Sequence, residues 1–124
     1  MKTAVIVVAG TNKQNECFFP SYRKCLSGID HDLIVVHRNG QFLKHVENHN
    51  GQVILEDKII NGTEVPHRAF GAYRHFWNVY KDKYEAFAFI SDDVIVKSDG
   101  WLERSINLLF QHDRLGFVGT QIMN

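Results

Sequence analysis

Short apolar runs alternate with longer amphipathic stretches along this chain. Four of the runs are apolar almost throughout and rich in Val, Ile or Phe, and they predict buried β-strands at residues 3–9, 32–37, 52–56 and 85–91. A fifth run, residues 115–119, has the same character and predicts one more strand. Continuously apolar strands are typical of a parallel sheet that is covered on both faces.

The amphipathic stretches predict helices at residues 18–27, 42–48, 65–81 and 101–111. Pro20 lies in the first turn of the first predicted helix, where proline is tolerated. The long helix is the most regular of the four, because its apolar residues recur at spacings of three and four.

Two further segments connect these elements. The stretch around Asn61 and Gly62 is predicted to be a polar loop, and residues 94–96 a short extended piece. Strands that alternate with helices indicate βαβ units. We therefore expect a single α/β domain over residues 1–124, with a Rossmann-like, largely parallel sheet and helices on both faces.

Composition excludes several classes of protein. Lys and Arg number 14 and so do Asp and Glu, so the chain has no excess positive charge for binding nucleic acid. No apolar run approaches the roughly 20 residues of a membrane-spanning helix. The apolar start, residues 4–9, is better explained as a strand than as a signal peptide, and Cys17 and Cys25 form no metal motif. We therefore expect a cytoplasmic protein with reduced thiols.

The predicted strand ends place chemistry at one edge of the sheet. Small residues after the first strand, Ala9 and Gly10, let a ligand approach the backbone, and polar groups after the second and third strands can bind a ribose or a base. Asp92 and Asp93 follow the fourth strand and can hold a hard divalent cation, since Mg²⁺ and Mn²⁺ prefer carboxylate oxygens. The alternative for this pair is a solvated turn.

Other motifs in the sequence give little evidence for a particular ligand or reaction. Gly10 belongs to no dinucleotide-binding or Walker pattern. His45 and His49 stand four residues apart, but no third zinc ligand accompanies them. Arg68 can bind a phosphate through its guanidinium group, or it can be a solvated charge on the long helix.

The sequence around the acidic pair resembles a known family. The segment Ile90-Ser91-Asp92-Asp93-Val94, followed by Gly100-Trp101-Leu102-Glu103, is similar to the metal-binding segment of family 2-like glycosyltransferases of the GT-A fold. In that family an apolar strand runs into a D-x-D motif and a helix beginning with Trp-Leu-Glu follows. Ser91 stands where the first Asp of the motif usually does, and His37 stands where the family has an acidic residue.

The resemblance implies a nucleotide-diphosphate-sugar-binding domain that is GT-A-like but truncated. It implies Mn²⁺ or Mg²⁺ as cofactor, with a UDP- or GDP-linked sugar as donor and the metal neutralising charge on the departing diphosphate. The nucleotide-binding residues implied are Ala9, Gly10, Thr11, Asn12, His37, Asn39, Arg68, Ser91 and Asp92. The metal ligands implied are Asp93 and Asp92.

Two functions remain open from the sequence. An enzyme, a metal-dependent glycosyltransferase, is favoured, but the family's acceptor-binding half and its general base are expected to be missing from this chain. The alternative is a non-catalytic nucleotide-sugar-binding or assembly module on the same half-fold. A shortened sheet leaves an open edge, which predicts a homo-oligomer formed through that edge.

Overall fold

A computed structural model of the chain describes residues 2–10, 12–38, 40, 43, 46–112, 116 and 118. The main elements alternate between strands and helices. They are β1 (Thr3–Ala9), α1 (Asn12–Lys24), β2 (Asp32–His37), β3 (Val53–Asp57), β4 (Ile59–Ile60), β5 (Thr63–Glu64), α2 (Arg68–Tyr80), β6 (Ala86–Ser91) and α3 (Trp101–Gln111).

Four of the strands form a parallel sheet in the order β3-β2-β1-β6. The chain passes from β1 through α1 to β2 in one direction, and from β3 through α2 back to β6 in the other. Parallel crossovers are right-handed, so crossovers in opposite directions must lie on opposite faces of the sheet. The α/β, Rossmann-like arrangement predicted from the sequence is therefore confirmed for the described residues.

Each face of the sheet has its own apolar core. On the front face, Phe18 of α1 and Leu102 of α3 pack against Val5 and Val7 of β1. On the back face, Phe76 of α2 packs against the alternate β1 residues, among them Ile6. Alternate strand residues point to opposite faces, which is why a strand covered on both faces needs an unbroken apolar sequence.

The predicted strand bounds agree closely with the observed ones. β1 and β2 begin and end where the apolar runs do, and β3 and β6 differ from the predicted ranges by one residue. The expected polar loop around Asn61 and Gly62 is instead the turn of a two-stranded antiparallel hairpin, β4–β5. Asn61 and Gly62 have φ angles of 52° and 79°, the left-handed values that a tight turn requires.

Two of the predicted helices need correction at their starts, whereas the helix predicted at 101–111 is confirmed as α3. α1 begins at Asn12 rather than at residue 18, so Pro20 lies inside the helix and not in its first turn. α2 begins at Arg68, three residues after the predicted start, and ends at Tyr80, one residue before the predicted end. Of the predicted helix at 42–48, residues 46–48 are irregular rather than helical. Most of its remaining residues lie outside the described part of the chain.

Two further expectations have different outcomes. Residues 94–96, predicted to be a short extended piece, are neither helix nor part of the sheet; they follow the turn at Asp92 and Asp93, where Val94 N–H donates to the Ser91 carbonyl at 3.2 Å. The predicted fifth strand, residues 115–119, lies outside the described residues except for positions 116 and 118. None of the helices in the described part is long and apolar enough to cross a membrane.

A buried polar cluster lies at the edge of the sheet where the amino ends of the strands meet, beside the start of β2. The Tyr22 hydroxyl lies 2.6 Å from His31 Nε2 and donates to Asn48 Oδ1 at 2.8 Å. His31 Nδ1 lies 3.0 Å from the Ile29 carbonyl and 3.2 Å from Ser27 Oγ. Burial lowers the pKa of His31, and the Ile29 carbonyl together with Asp32 and Asp30 opposes that shift.

The cluster predicts a pH dependence of stability. Because the folded chain favours neutral His31, the unfolded chain takes up a proton first as the pH falls below about 6.5. The free energy of unfolding should therefore decrease between about pH 7.5 and 5.5, and less so in His31→Gln. Urea denaturation across this range measures both slopes. His49→Gln, at an exposed neighbour, should keep the wild-type slope; equal slopes in wild type and His31→Gln would contradict the prediction.

Candidate functional site

The carboxyl ends of β1, β2, β3 and β6 share one edge of the sheet, which we call the carboxyl edge. The chain leaves β1 toward the front face, while the crossover into β6 comes from the back face. The point between β1 and β6 is therefore the topological switch point, where open α/β sheets bind their ligands.

Asp92 joins the two strands at this point. Its Oδ2 accepts a hydrogen bond from Gly10 N–H at 2.7 Å, across 82 positions of sequence. The last ladder pair between β1 and β6 is Val8 with Ser91, so this hydrogen bond extends the connection beyond the end of the ladder. Asp92 is only 4% exposed, so a buried carboxylate links Gly10, the residue after β1, to the turn after β6.

The two carboxylates of the pair have different surroundings. Burial raises the pKa of Asp92; the Gly10 N–H opposes that rise, and the charge of Asp93 adds to it. Asp93 is exposed, and no described residue donates a hydrogen bond or forms an ion pair with its carboxylate. Of these two carboxylates, only that of Asp93 is open to a ligand from solution.

The residues fit one mode of cation binding and not another. Within the described ranges, no group of three or more His, Cys, Asp or Glu side chains could hold a metal ion. A cage built from protein ligands alone is therefore unsupported in that part of the chain. Mg²⁺ also binds through one or two carboxylates together with substrate phosphates, and the open Asp93 carboxylate suits that mode.

Tyr73 of α2 is a site residue that sequence reasoning placed only in the core. Burial raises the pKa of its phenol to about 12, and the charges of Asp92 and Asp93 add to the rise, so the phenol stays protonated at neutral pH. Its ring lies 5.3 Å from Phe89 of β6 and 6.4 Å from Phe70, centroid to centroid. Phe70 is 83% exposed, so this row of aromatic rings reaches solvent beside the acidic pair.

His37 lies at the end of β2, directly opposite Ala9 in the sheet register. Its Nδ1 atom is buried and has no hydrogen-bond partner among the described residues. A buried polar atom without a partner is uncommon and costs stability. Because the atom itself is covered, it does not face a ligand from solution in this structure.

Arg68 is the first residue of α2, and α2 starts at the carboxyl edge because it must return the chain from the end of β3 to the start of β6. Arg38 and Lys58 are paired with Glu64, at 3.0 Å and 3.6 Å. Arg68 forms no ion pair with any described residue and is exposed. It is therefore the available guanidinium group in the described part of this edge.

The start of α2 is strained. His67 and Arg68 both have left-handed backbone angles, with φ of 64° and 54°, and neither is a glycine. The next turn is crowded, because a Cβ at Gly71 would stand 1.5 Å from the Pro66 carbonyl oxygen. Left-handed angles cost roughly 1–2 kcal/mol per non-glycine residue, and such strain often lies at functional sites.

The predicted site residues are thus partly brought together. Ala9, Gly10, Ser91, Asp92 and Asp93 adjoin one another at the switch point, with His37 on the neighbouring strand. Asn12 is the first residue of α1 rather than part of a loop. The other two expected nucleotide-binding residues, Thr11 and Asn39, lie outside the described residues.

Comparison of the chain with protein-family models, with curated proteins and with solved structures gives no match in any of the three. A functional conclusion therefore depends on the fold and on the geometry of the switch point.

The strained start of α2 predicts an unusual response to glycine. Because glycine adopts left-handed angles freely, Arg68→Gly and His67→Gly should each raise the free energy of unfolding by about 1 kcal/mol. Urea denaturation measures the change. Gly62→Ala is the opposite control: its φ is 79° and nothing lies within 4 Å, so alanine there should destabilise through backbone strain alone. Destabilisation by both glycine variants would show that the strain at α2 is not relieved in this way.

Proposed function

We propose that this chain is the donor-binding domain of a metal-dependent glycosyltransferase of the GT-A type, which binds a nucleotide-diphosphate sugar at the carboxyl edge. The observation that carries the proposal is the position of the acidic pair. Asp92 and Asp93 follow the strand that adjoins β1, and Asp92 accepts a hydrogen bond from Gly10, the residue after β1. Together with the parallel order β3-β2-β1-β6, this puts carboxylates where a switch-point ligand binds.

The nucleoside part of the donor fits the β1–β2 side of the edge. Ala9 carries only a methyl group and Gly10 has no side chain, so a planar base or a ribose can approach the backbone. His37 lies at the end of β2 on this side of the edge, although its unpartnered Nδ1 atom is buried. Ser91 adds a hydroxyl group at the end of β6, on the other side of β1.

The diphosphate fits the β1–β6 side only with help from positive charge. Asp92 and Asp93 would repel a phosphate, because like charges at close range destabilise each other. A divalent cation removes this repulsion. Asp93 would hold Mn²⁺ or Mg²⁺ from the protein side, and Arg68 adds a guanidinium that can bind phosphate oxygens bidentately.

The bound cation would have one chemical role, which is to stabilise negative charge on the departing nucleoside diphosphate. The chain's own residues would bind and orient the donor, with the exposed Asp93 and Arg68 as its polar contacts. Transfer also needs a general base for the acceptor hydroxyl. We assign that role to no residue of this chain.

A second function is favoured by the sequence of the acidic turn. Ser91 replaces a carboxylate that the resembling family carries, and Asp92 is buried, so only one open carboxylate remains. Such a site suits a non-catalytic module that binds a nucleotide sugar. The two functions differ in one result: an enzyme releases free sugar or a glycoside from the donor, and a binding module leaves the donor intact.

Calorimetric titration with UDP and GDP tests the proposal. Binding of one of the two should be at least about tenfold tighter with Mn²⁺ than with EDTA, and Asp93→Asn should abolish this difference. Asp82→Asn, an exposed carboxylate in the turn after α2, is the matched control and should bind like wild type. Absence of metal-dependent heat with either nucleotide would refute the proposal.

The same titration tests the role of Arg68 against the strain at its position. Arg68→Gly and His67→Gly relieve similar backbone strain, but only the first removes a guanidinium group. We expect Arg68→Gly to weaken nucleotide-diphosphate binding by about tenfold, the usual effect of losing a charged hydrogen bond, while His67→Gly keeps wild-type affinity. Equal affinities in the two variants would remove Arg68 from the site.

A further inference from the structure

We infer that the buried polar cluster around His31 is a pH-operated latch between α1 and residues 46–51, the segment that leads into β3. Uptake of a proton by His31 turns the Tyr22 hydroxyl group from His31 toward Asn48, and this adds a hydrogen bond between α1 and the segment. The structure describes every residue of the segment. The latch lies at the amino ends of the strands, so the inference does not depend on the proposed function at the carboxyl edge.

The contacts on one side of the His31 ring require a hydrogen on Nδ1. This atom lies 3.0 Å from the Ile29 carbonyl oxygen, which can only accept. Ser27 Oγ, 3.2 Å from Nδ1, donates its own hydrogen to the same carbonyl at 2.7 Å. Neither neighbour has a hydrogen to give to Nδ1, so the ring nitrogen must be the donor.

The Asn48 amide fixes the direction of the bonds on the other side of the ring. Its Nδ2 donates to the His31 carbonyl oxygen, and its Oδ1 accepts from Asn50 N–H at 3.4 Å. Oδ1 therefore faces the Tyr22 hydroxyl, 2.8 Å away, and can only accept from it. Burial raises the pKa of Tyr22 above its ordinary value, so the hydroxyl keeps its hydrogen.

The one hydroxyl hydrogen of Tyr22 has two acceptors within reach, Asn48 Oδ1 at 2.8 Å and His31 Nε2 at 2.6 Å. With His31 neutral and its hydrogen on Nδ1, only one of these two contacts contains a hydrogen. A proton on Nε2 supplies the other: Nε2–H donates to Tyr22, and Tyr22 donates to Asn48. The protonated form therefore completes the network, and hydrogen bonds in a charged network are stronger than neutral ones.

Burial and charge set the pH at which the latch operates. Burial lowers the pKa of His31, and the Ile29 carbonyl, Asp32 and Asp30 oppose that shift. The folded protein therefore takes up this proton at a lower pH than the unfolded chain does. The latch tightens locally over the range in which the free energy of unfolding of the whole domain falls.

The other groups around the ring come from several elements. Lys2, which precedes β1, lies 3.9 Å from Asp32, and Tyr84 donates to the same carboxylate at 2.8 Å. α3 faces the imidazole with the uncharged Trp101 ring, 6.4 Å away between centroids. The exposed His49 helps to line a pocket that adjoins the cluster. This pocket gives a proton from solution a route to the ring.

Ring-nitrogen NMR of the wild-type protein tests the hydrogen count. At about pH 7.5, where histidine is ordinarily neutral, His31 should carry its hydrogen on Nδ1. On acidification Nε2 should gain a proton, at a lower pH than histidine in the urea-unfolded chain. Over the same range the heteronuclear NOE of the amides in residues 46–51 should rise as the segment becomes more ordered. A neutral ring with its hydrogen on Nε2 would overturn the inference.

Tyr22→Phe separates the latch from a purely structural role of the aromatic ring. The variant keeps the ring but removes the acceptor of the protonated Nε2–H. His31 should then titrate about one pH unit lower, because a hydrogen bond to a charged group is lost, and the order of residues 46–51 should no longer depend on pH. Tyr73→Phe, which removes a hydroxyl on α2, is the matched control and should behave like wild type.

Asn48→Ala tests the other half of the latch. It removes the acceptor that Tyr22 uses in the protonated form, whereas in the neutral form Tyr22 donates to His31 as before. His31 should again titrate at a lower pH than in wild type. A titration midpoint that is unchanged in either Tyr22→Phe or Asn48→Ala would refute the latch.

Discussion

The strand β1 has no face open to solvent, and the rest of the fold is arranged around it. Residues Ala4–Val7 are 0% exposed, with β2 on one side, β6 on the other, and helices above and below. Every backbone group of such a strand must be hydrogen-bonded by its neighbours, because water cannot reach it. The two flanking strands are therefore fixed in register, and the residues that follow all three strands must come together at one edge.

Burial also explains which parts of the fold were predictable. β1 and β2 were correctly bounded because a strand covered on both faces must be apolar throughout, and its polar ends mark where cover stops. The hairpin β4–β5 escaped prediction because strands of two residues leave no periodic pattern. The start of α1 at Asn12 was missed because its first turns contain Asn, Lys, Gln and Glu with no apolar stripe.

The candidate site was predictable in position but not in detail. The position of the acidic pair could be predicted because the pair follows an apolar strand, and such a strand end lies at the carboxyl edge of a parallel sheet. The hydrogen-bond partner of Asp92 could not be predicted, since Gly10 is 82 positions away and the local sequence is compatible with any strand order. Tyr73 was assigned to the core because its helical spacing fits the apolar stripe of α2, and its proximity to two carboxylates depends on how that helix crosses the sheet.

The contact between Gly10 and Asp92 has a consequence for how the protein acquires its site. Pairing of β1 with β6 closes a loop of about eighty residues, and closing long loops is entropically costly, so contacts of this range form late and slow the folding of a domain. During synthesis on the ribosome, β1, α1, β2, β3 and α2 all emerge before β6 does. A nascent chain can therefore pack α1 against β1 and β2 while the junction between β1 and β6 does not yet exist.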